Sequence, residues 1–193
     1  MDWHLFHWVN GVTLHHDGLE DTSTFIETWG VTMFAVATFA LWLLDRPRGR
    51  LLWRMTSASA LASAGLALLV NQLVAKIYDR PRPYQSHDDV HVFVPRSHDP
   101  SFPSDHASAA FGIAFAVLLV DRTVGALFVA AAAVLSIGRV VVGAHYPADI
   151  VAGCLVGLAS ALFVHRFAGP TLRPVVRALS RVTDAVLAPL WRA

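Results

Sequence analysis

The chain has 193 residues, of which 55% are hydrophobic and only 15% are charged, and its formal net charge is +1. The mean hydropathy of +0.50 is higher than a water-soluble domain of this size needs for its core. This composition excludes a disordered chain and a soluble nucleic-acid-binding protein. A single cysteine, Cys154, excludes a disulfide framework and a cysteine-rich metal site. We therefore expect one integral membrane domain over 1–193.

Five apolar stretches are candidates to cross a bilayer, because its ~30 Å hydrocarbon core takes roughly 20 helical residues. None shows the alternation of a barrel strand, and a backbone in lipid must satisfy its own hydrogen bonds, so we expect helices. The sequence predicts an all-α polytopic membrane bundle of about five to six helices. Gly153 and Gly157, four residues apart, favour close packing of the last helix. The stretches are about 24–44, 55–75, 106–120, 123–144 and 148–167, of which the third is short.

The two ends of the chain are amphipathic. Residues 1–20 mix aromatic side chains with histidines, and we expect an outer interfacial segment there. The start of the chain lacks the basic residues of a signal peptide, so we expect it to be retained. At the other end, 170–193 carries an apolar stripe, with Arg173, Arg177 and Arg181 recurring every four residues on another face. This pattern predicts a cytoplasmic tail that lies along the lipid surface.

Basic residues are distributed unevenly along the chain, which predicts its orientation. The first 45 residues contain no Lys or Arg, whereas arginines are dense in 46–54. Further arginines follow the third stretch, at Arg122, and lie in the tail. By the positive-inside rule these ends are cytoplasmic. The remaining basic residues then lie on the outer side, where they need a separate explanation.

Three groups of polar residues lie at the predicted outer ends of helices. Singly, an Arg-Pro segment is typical of a juxtamembrane turn, and Pro-Ser-Asp-His is typical of a capped helix start. On the predicted topology all three meet at one membrane face, so we expect them to form one site. The groups are Lys76 with Arg80, Pro81, Arg82 and Pro83; Pro103, Ser104, Asp105 and His106; and Gly138, Arg139, His145, Pro147 and Asp149.

The cationic members of these groups suit a bound phosphate. Lys76, Arg82 and Arg139 offer fixed positive charges and many hydrogen-bond donors, and an arginine can bind two phosphate oxygens at once. Ser104 is placed as a helix N-cap, where an anion would also meet free backbone N–H groups and the positive end of a helix dipole. The pattern predicts a phosphate-binding pocket.

Two histidines add the chemistry of phosphoryl transfer. His145 and Asp149 are four residues apart, with Pro147 suited to a first helical turn, so we expect the carboxylate to reach one ring nitrogen. The other nitrogen then keeps its lone pair, and we predict that His145 is a nucleophile. We expect His106, from another helix, to protonate the leaving oxygen and then to deprotonate the attacking water. Because few carboxylates cluster here, we expect metal-independent activity without a cofactor.

The polar segment 78–104 allows a different interpretation. Its histidines and aspartates would suit a transition metal in a non-enzymatic metal-sensing or transport protein. Few polar residues lie in the first and fifth stretches, which disfavours a transport path. The residues concerned are His87, His91, His98, Asp88, Asp89 and Asp99.

In their order along the chain, the motifs resemble those of the type 2 phosphatidate phosphatase superfamily, which also includes the vanadium haloperoxidases. The shared pattern is a basic Arg-Pro motif, Pro-Ser-x-His, and an Arg-x5-His-x3-Asp motif that here runs from Arg139 to Asp149. The family's first motif is Lys-x6-Arg-Pro, whereas only five residues separate Lys76 from Arg82. The run Ser-Phe-Pro-Ser-Asp-His at 101–106 is similar to the undecaprenyl-diphosphatases of the bacitracin-resistance branch.

The resemblance implies an α-helical membrane phosphatase in which His145 attacks phosphorus, Asp149 orients it and His106 serves the leaving group. The branch implies hydrolysis of undecaprenyl diphosphate at the outer face of a bacterial-type plasma membrane, which returns the lipid carrier to cell-wall synthesis. Phosphatidate and phosphatidylglycerophosphate stay open as substrates, and a vanadate-dependent peroxidase stays open as a different activity. The phosphoryl oxygens would be held by Lys76, Arg82, Ser104, the backbone N–H of Asp105, and Arg139.

Overall fold

The computed structural model describes residues 2–12, 17–46 and 49–187, and within them the regular structure is helical. Most of the helices are long and run through a bundle, while α4 is a single turn. The helices are α1 (Asp2–Val12), α2 (Asp17–Leu43), α3 (Leu52–Ala75), α4 (Pro83–Ser86), α5 (Asp105–Leu118), α6 (Arg122–Val141), α7 (Pro147–Phe167) and α8 (Gly169–Leu187).

All five predicted apolar stretches are helical, which confirms the all-α bundle. Three helices, α3, α6 and α7, are long and apolar enough to cross a membrane. The other two stretches are shorter apolar helical segments, Thr28–Leu43 within α2 and the whole of α5. The first half of α2 is polar, which is why its apolar part is shorter than the helix.

The short helix α5 occupies the centre of the bundle. Its 14 residues rise only about 21 Å at 1.5 Å per residue. It packs against α3, α6 and α7, and most of its side chains are buried, among them Phe111, Ile113 and Val117. Because α5 is enclosed by longer helices, its length is not set by the thickness of the surrounding lipid.

Close packing of α5 against α7 depends on Gly153 and Gly157, as their spacing predicts. A Cβ atom added at Gly153 would lie 2.8 Å from the Cβ of Ala107 and 2.9 Å from the carbonyl oxygen of Ser104. A Cβ at Gly157 would lie 2.7 Å from the backbone nitrogen of Gly112. The two glycines therefore allow the backbones of the helices to approach, and they hold the first turn of α5 against α7.

The glycine contact gives a direct stability test. Gly157→Ala is expected to destabilise the protein by about 1–3 kcal/mol, because the added methyl meets backbone that cannot move aside. The matched control is Gly65→Ala in α3, where nothing lies within 4 Å of the added Cβ. That change should be neutral or stabilising by up to about 1 kcal/mol, since glycine weakens a helix. Thermal unfolding in detergent would contradict this account if both variants behaved alike.

The predicted flanking segments are both helical where the structure describes them, and residues 1, 13–16 and 188–193 lie outside the described part. Helix α1 lies at the ends of α6 and α7, where the buried Phe6 packs with Val140 and Tyr146. Helix α8 packs on α3 and α7 through the buried Val176, and Arg54 Nη2 lies 2.6 Å from Asp184 Oδ1. Neither helix is among the membrane-spanning candidates of the described residues.

Candidate active site

Three helix ends and a loop gather at one end of the bundle and line a cleft of about 440 Å³. These are the end of α3, the start of α5, the end of α6 and the loop that precedes α7. The cleft therefore joins segments that are far apart in the sequence, as the three-group prediction requires. Five of the predicted site residues line it, namely Arg82, Asp105, His106, Arg139 and His145.

His145 lies in the loop between α6 and α7, and its side chain is almost completely buried. Its Nδ1 is 2.8 Å from the carbonyl oxygen of Ser101, which can only accept a hydrogen bond. This contact assigns the proton of the neutral ring to Nδ1 and leaves the lone pair on Nε2. Nε2 lies 3.4 Å from Nη1 of Arg82, and both residues line the cleft. The imidazole thus presents a nucleophilic nitrogen beside a cation.

The loop that carries His145 turns at Gly143, which has a φ of +82°. Residues that carry a side chain rarely adopt this left-handed backbone conformation, whereas glycine does so freely. A Cβ at this position would also lie 2.3 Å from the carbonyl oxygen of His91. Only glycine at this position lets the chain turn at the end of α6 and pack against the backbone of His91 in the polar segment 78–104.

Asp149 is completely buried behind His145, but it does not bind the ring directly. The distance from Asp149 Oδ2 to His145 Nδ1 is 3.7 Å, which is longer than a hydrogen bond. Oδ2 instead accepts from Ser101 Oγ at 2.6 Å and from the backbone nitrogen of Tyr146 at 2.9 Å. The expected direct contact is thus corrected: Ser101 connects the carboxylate to the imidazole.

Two arginines supply the positive charge of the cleft. Arg82 is held in place because its Nε donates to the carbonyl oxygen of Asp99 at 3.0 Å and its Nη1 to that of Ala144 at 3.2 Å. Arg139 is buried in the last turn of α6 and lines the same cleft as His145. The fold therefore positions the guanidinium of Arg82 before any anion binds, and it buries Arg139 at the same cleft.

Lys76 is a predicted site residue that lies outside the cleft. It caps the end of α3, is exposed, and is not part of the cleft lining, whereas its neighbour Ala75 is. Successive helical residues point about 100° apart, so a one-residue change in spacing turns a side chain away from its site. The five-residue separation between Lys76 and Arg82 thus places alanine where the family's lysine would stand.

The Ser104–His106 segment starts α5 at the cleft. Ser104 is confirmed as the N-cap, with its side chain accepting from the backbone nitrogen of Ala107 at 3.5 Å, but it is buried behind the cleft lining. The Asp105 carboxylate accepts from Nδ2 of Asn71 at 2.7 Å, which ties it to α3. His106 is half-buried and lines the cleft.

The 87–99 segment does not assemble the ligand set that a metal site would need. In residues 2–12, 17–46 and 49–187, no group of three or more His, Cys, Asp or Glu side chains is placed to hold a metal ion. His87 stacks on Trp3 with ring centroids 3.5 Å apart, and Asp89 lies 3.5 Å from His7. These contacts join the segment to α1.

Burial lowers the pKa of His145, and the positive charges of Arg139 and Arg82 lower it further, while Asp149 opposes them. The ring should therefore stay neutral and nucleophilic at pH values below its ordinary pKa of about 6.5. The acidic limb of kcat/KM, which reports the free enzyme, is expected below that pH. Arg139→Met removes one of the cations that lower the pKa of His145. The acidic limb of kcat/KM of this variant should therefore lie at higher pH than that of the wild-type protein, with the same substrate. A limb at the same pH in both proteins would contradict this assignment.

Comparisons with known proteins show the family to which the chain belongs. A family profile described as PAP2 superfamily matches residues 56–173, which is more than half of the chain. Undecaprenyl-diphosphatase BcrC of Bacillus subtilis (strain 168) is 30% identical over 192 residues, covering 100% of this chain and 96% of the relative. A decaprenylphosphoryl-5-phosphoribose phosphatase of Mycobacterium tuberculosis is 33% identical over 112 residues, 58% of each protein.

A solved structure shares the fold. The crystal structure of Aquifex aeolicus LpxE superposes with a TM-score of 0.72 at 20% sequence identity, covering 86% of this chain and 94% of the other. The range matched by the profile includes Arg82, His106, Arg139 and His145, four of the residues that line the cleft. The family expected from the motifs is confirmed: the chain belongs to the PAP2 superfamily.

Proposed function

We propose that the protein is a membrane lipid phosphatase that removes the terminal phosphate of undecaprenyl diphosphate. The observation that carries the proposal is the position of His145 Nε2, 3.4 Å from Arg82 Nη1 in a cleft that His106 and Arg139 also line. The similarity to a relative named undecaprenyl-diphosphatase over the whole chain supports this substrate. The reaction would return the lipid carrier to cell-wall synthesis.

In the proposed reaction, Nε2 of His145 attacks the terminal phosphorus. The bond from phosphorus to the bridging oxygen breaks, and the prenyl monophosphate leaves with a proton from His106. His106 then takes a proton from water, which attacks the phosphohistidine, releases inorganic phosphate and restores His145. Arg82 and Arg139 stabilise the negative charge on the phosphoryl oxygens in both steps. No step requires a metal ion.

The proposed orientation places the cleft on the extracytoplasmic side of a bacterial-type plasma membrane. The opposite end of the bundle carries Arg46, Arg50, Arg122 and Arg166, which the positive-inside rule assigns to the cytoplasm. In a Cys154→Ala background, a cysteine at the exposed His98 should react with a membrane-impermeant maleimide in intact cells. Labelling only after lysis would reverse the orientation.

The proposed function is tested by a substrate panel. Purified protein in detergent with EDTA is given farnesyl diphosphate, undecaprenyl diphosphate, phosphatidate and phosphatidylglycerophosphate, and inorganic phosphate is measured. We expect the diphosphates to be preferred, His145→Ala to be inactive, and the exposed His165→Ala, at the other end of α7, to be fully active. Preference for a glycerolipid would contradict undecaprenyl diphosphate as the substrate. Full activity of His145→Ala would contradict the proposed role of His145 as the nucleophile.

The role of His106 predicts a substrate-dependent effect. A phosphate monoester is a better leaving group than an alkoxide, so a diphosphate depends less on protonation by a general acid. His106→Ala is expected to lower kcat/KM, which reports the steps up to phosphoryl transfer, by about 10²–10⁴-fold for farnesyl monophosphate and by clearly less for farnesyl diphosphate. Equal losses in kcat/KM on both substrates, measured at one pH, would show that His106 does not protonate the leaving oxygen.

A further inference from the structure

Arg80 makes a set of contacts that the proposed reaction does not use. Its Nη1 lies 2.6 Å from Asp149 Oδ1, and its Nη2 lies 2.6 Å from Asp2 Oδ2 on α1. Its guanidinium also stands over the ring of Tyr146, 4.2 Å from the centroid. Arg80 is mostly buried and does not line the cleft. Its guanidinium therefore contacts other side chains of the protein and is not placed to contact a bound phosphate.

The backbone of Arg80 reaches His145 by a second route. The backbone nitrogen of Ser101 donates to the carbonyl oxygen of Arg80 at 2.8 Å. The carbonyl oxygen of Ser101 in turn accepts from Nδ1 of His145, and its hydroxyl donates to Asp149. Arg80 therefore holds Ser101 through its main chain and Asp149 through its side chain, and these two residues orient the imidazole.

Asp2 completes the network from the other end of the sequence. While one carboxylate oxygen binds Arg80, the other accepts from the backbone nitrogen of Ala148 at 3.0 Å, in the first turn of α7. A carboxylate is favourable at a helix N-terminus because it meets free N–H groups and the positive end of the dipole. Asp2 thus joins α1 to the turn that follows His145, and it fixes the guanidinium between two carboxylates.

We propose that Arg80, held by Asp2, is a positioning residue that fixes His145 for attack on phosphorus. The proposal rests on the proposed function and adds to it a role for helix α1. The physical reason is that an attacking atom must be placed closely: a displacement of ~1 Å can cost about 10²-fold in rate. Without Arg80, Asp149 would be a buried carboxylate lacking its ion pair, and it and Ser101 would rearrange.

Charge balance gives a readout that is independent of turnover. The charged groups facing His145 are Arg82 from the loop before α4, Arg139 from α6 and Asp149 from α7, with Arg80 neutralising Asp149. Burial opposes the charge of Arg80, but the Asp2 and Asp149 carboxylates more than offset this and raise the pKa of Arg80, so it stays protonated. Removing the guanidinium leaves the carboxylate uncompensated 3.7 Å from Nδ1, which favours a protonated imidazole.

The test compares two arginines that each form an ion pair with an aspartate. Arg80→Met is matched with Arg54→Met, because Arg54 makes an ion pair of the same 2.6 Å length with Asp184 at the opposite end of the bundle. With farnesyl diphosphate, we expect Arg80→Met to lower kcat about 10–100-fold with KM within about threefold. Arg80→Lys should restore part of the loss. Arg54→Met should lower the unfolding temperature but leave kcat of the folded protein unchanged.

A second variant and a titration complete the design. Asp2→Asn keeps the size of the side chain and should lower kcat about two- to tenfold, by a smaller displacement of the same group. In imidazole NMR, with His145 assigned by its absence in His145→Ala, Arg80→Met should move the titration of His145 to higher pH and Arg54→Met should not. The titration of His145 can be measured in both variants even if the substrate proves to be a different lipid phosphate.

The outcomes separate the two proposals. Unchanged kcat and an unchanged His145 titration in Arg80→Met, with His145→Ala inactive, would overturn the positioning role and keep the proposed function. A raised KM at constant kcat would instead place Arg80 in contact with substrate and would overturn it too. If Arg80→Met does not fold, wild-type kcat and an unmoved titration in Asp2→Asn would reject the role. Activity in His145→Ala would reject the proposed function itself.

Discussion

Replacing His145 with alanine is expected to lower kcat for farnesyl diphosphate by at least about 10⁴-fold, because the covalent route loses its nucleophile. The remaining rate would come from substrate binding and from the cationic cleft. The measurement is phosphate release under saturating substrate, with His165→Ala as the control for the loss of a histidine. Chemical quenching of the wild-type enzyme with a radiolabelled terminal phosphate should trap an acid-labile, base-stable adduct.

The adduct makes this prediction specific. His145→Ala should yield no labelled protein, whereas His106→Ala should still form the adduct, since His106 acts on the leaving oxygen and on water. If His106→Ala were the variant that abolished labelling and His145→Ala retained it, the roles of the two histidines would have to be exchanged. Both residues line the cleft, so the geometry permits this comparison in one experiment.

The second large effect is expected at Arg82. Arg82→Ala should lower kcat/KM by about 10²–10³-fold, as expected for a fixed donor aimed at the charge of the transition state. Lys76→Ala should change it by less than about threefold, because Lys76 is exposed and its charge is screened by solvent. The two variants are a matched pair, since each removes one cation from the same seven-residue segment. A large loss in Lys76→Ala would mean that this side chain enters the cleft when substrate binds.

Much of the architecture follows from local pattern. Apolar length predicts the spanning helices, the four-residue spacing of Gly153 and Gly157 predicts close packing of α7, and Ser104 is found at its predicted helix cap. The grouping of distant motifs at one end of the bundle also follows from the topology. In a multi-pass chain, the end of one membrane helix and the start of the next lie on the same side of the membrane. These features depend on composition and short-range spacing, which a sequence displays directly.

The Asp149 contact shows where local reasoning fails. Residues four apart face each other only within one helix. Tyr146 is the N-cap of α7, so His145 lies just outside the helix that contains Asp149. The spacing rule therefore does not apply, and the pair stand 3.7 Å apart with Ser101 between them. Only a prediction that placed the start of α7 to the exact residue would have shown that His145 lies outside the helix.

Lys76 and Arg80 show two further limits. The position of Lys76 depends on helical phase, and an offset of one residue rotates a side chain by about 100°. The importance of Arg80 depends on partners at positions 2 and 149, which no local pattern connects. Ser101 contacts His145 Nδ1 through its carbonyl oxygen, and a backbone carbonyl carries no sequence signal at all. Charged residues of known type are thus easier to recognise than the groups that orient them.

The shortness of α5 has a consequence for how deep the reaction lies. Helix α6 has 20 residues and rises about 30 Å, whereas α5 rises about 21 Å from the same tight turn, at which Gly125 meets Leu118. The amino end of α5 therefore starts roughly one to two turns below the far end of α6. His106 is the second residue of α5, on that recessed end, so we expect it to lie closer to the hydrocarbon core than the end of α6 does. For the proposed prenyl diphosphate, the phosphate would reach His106 while the tail stays in the bilayer.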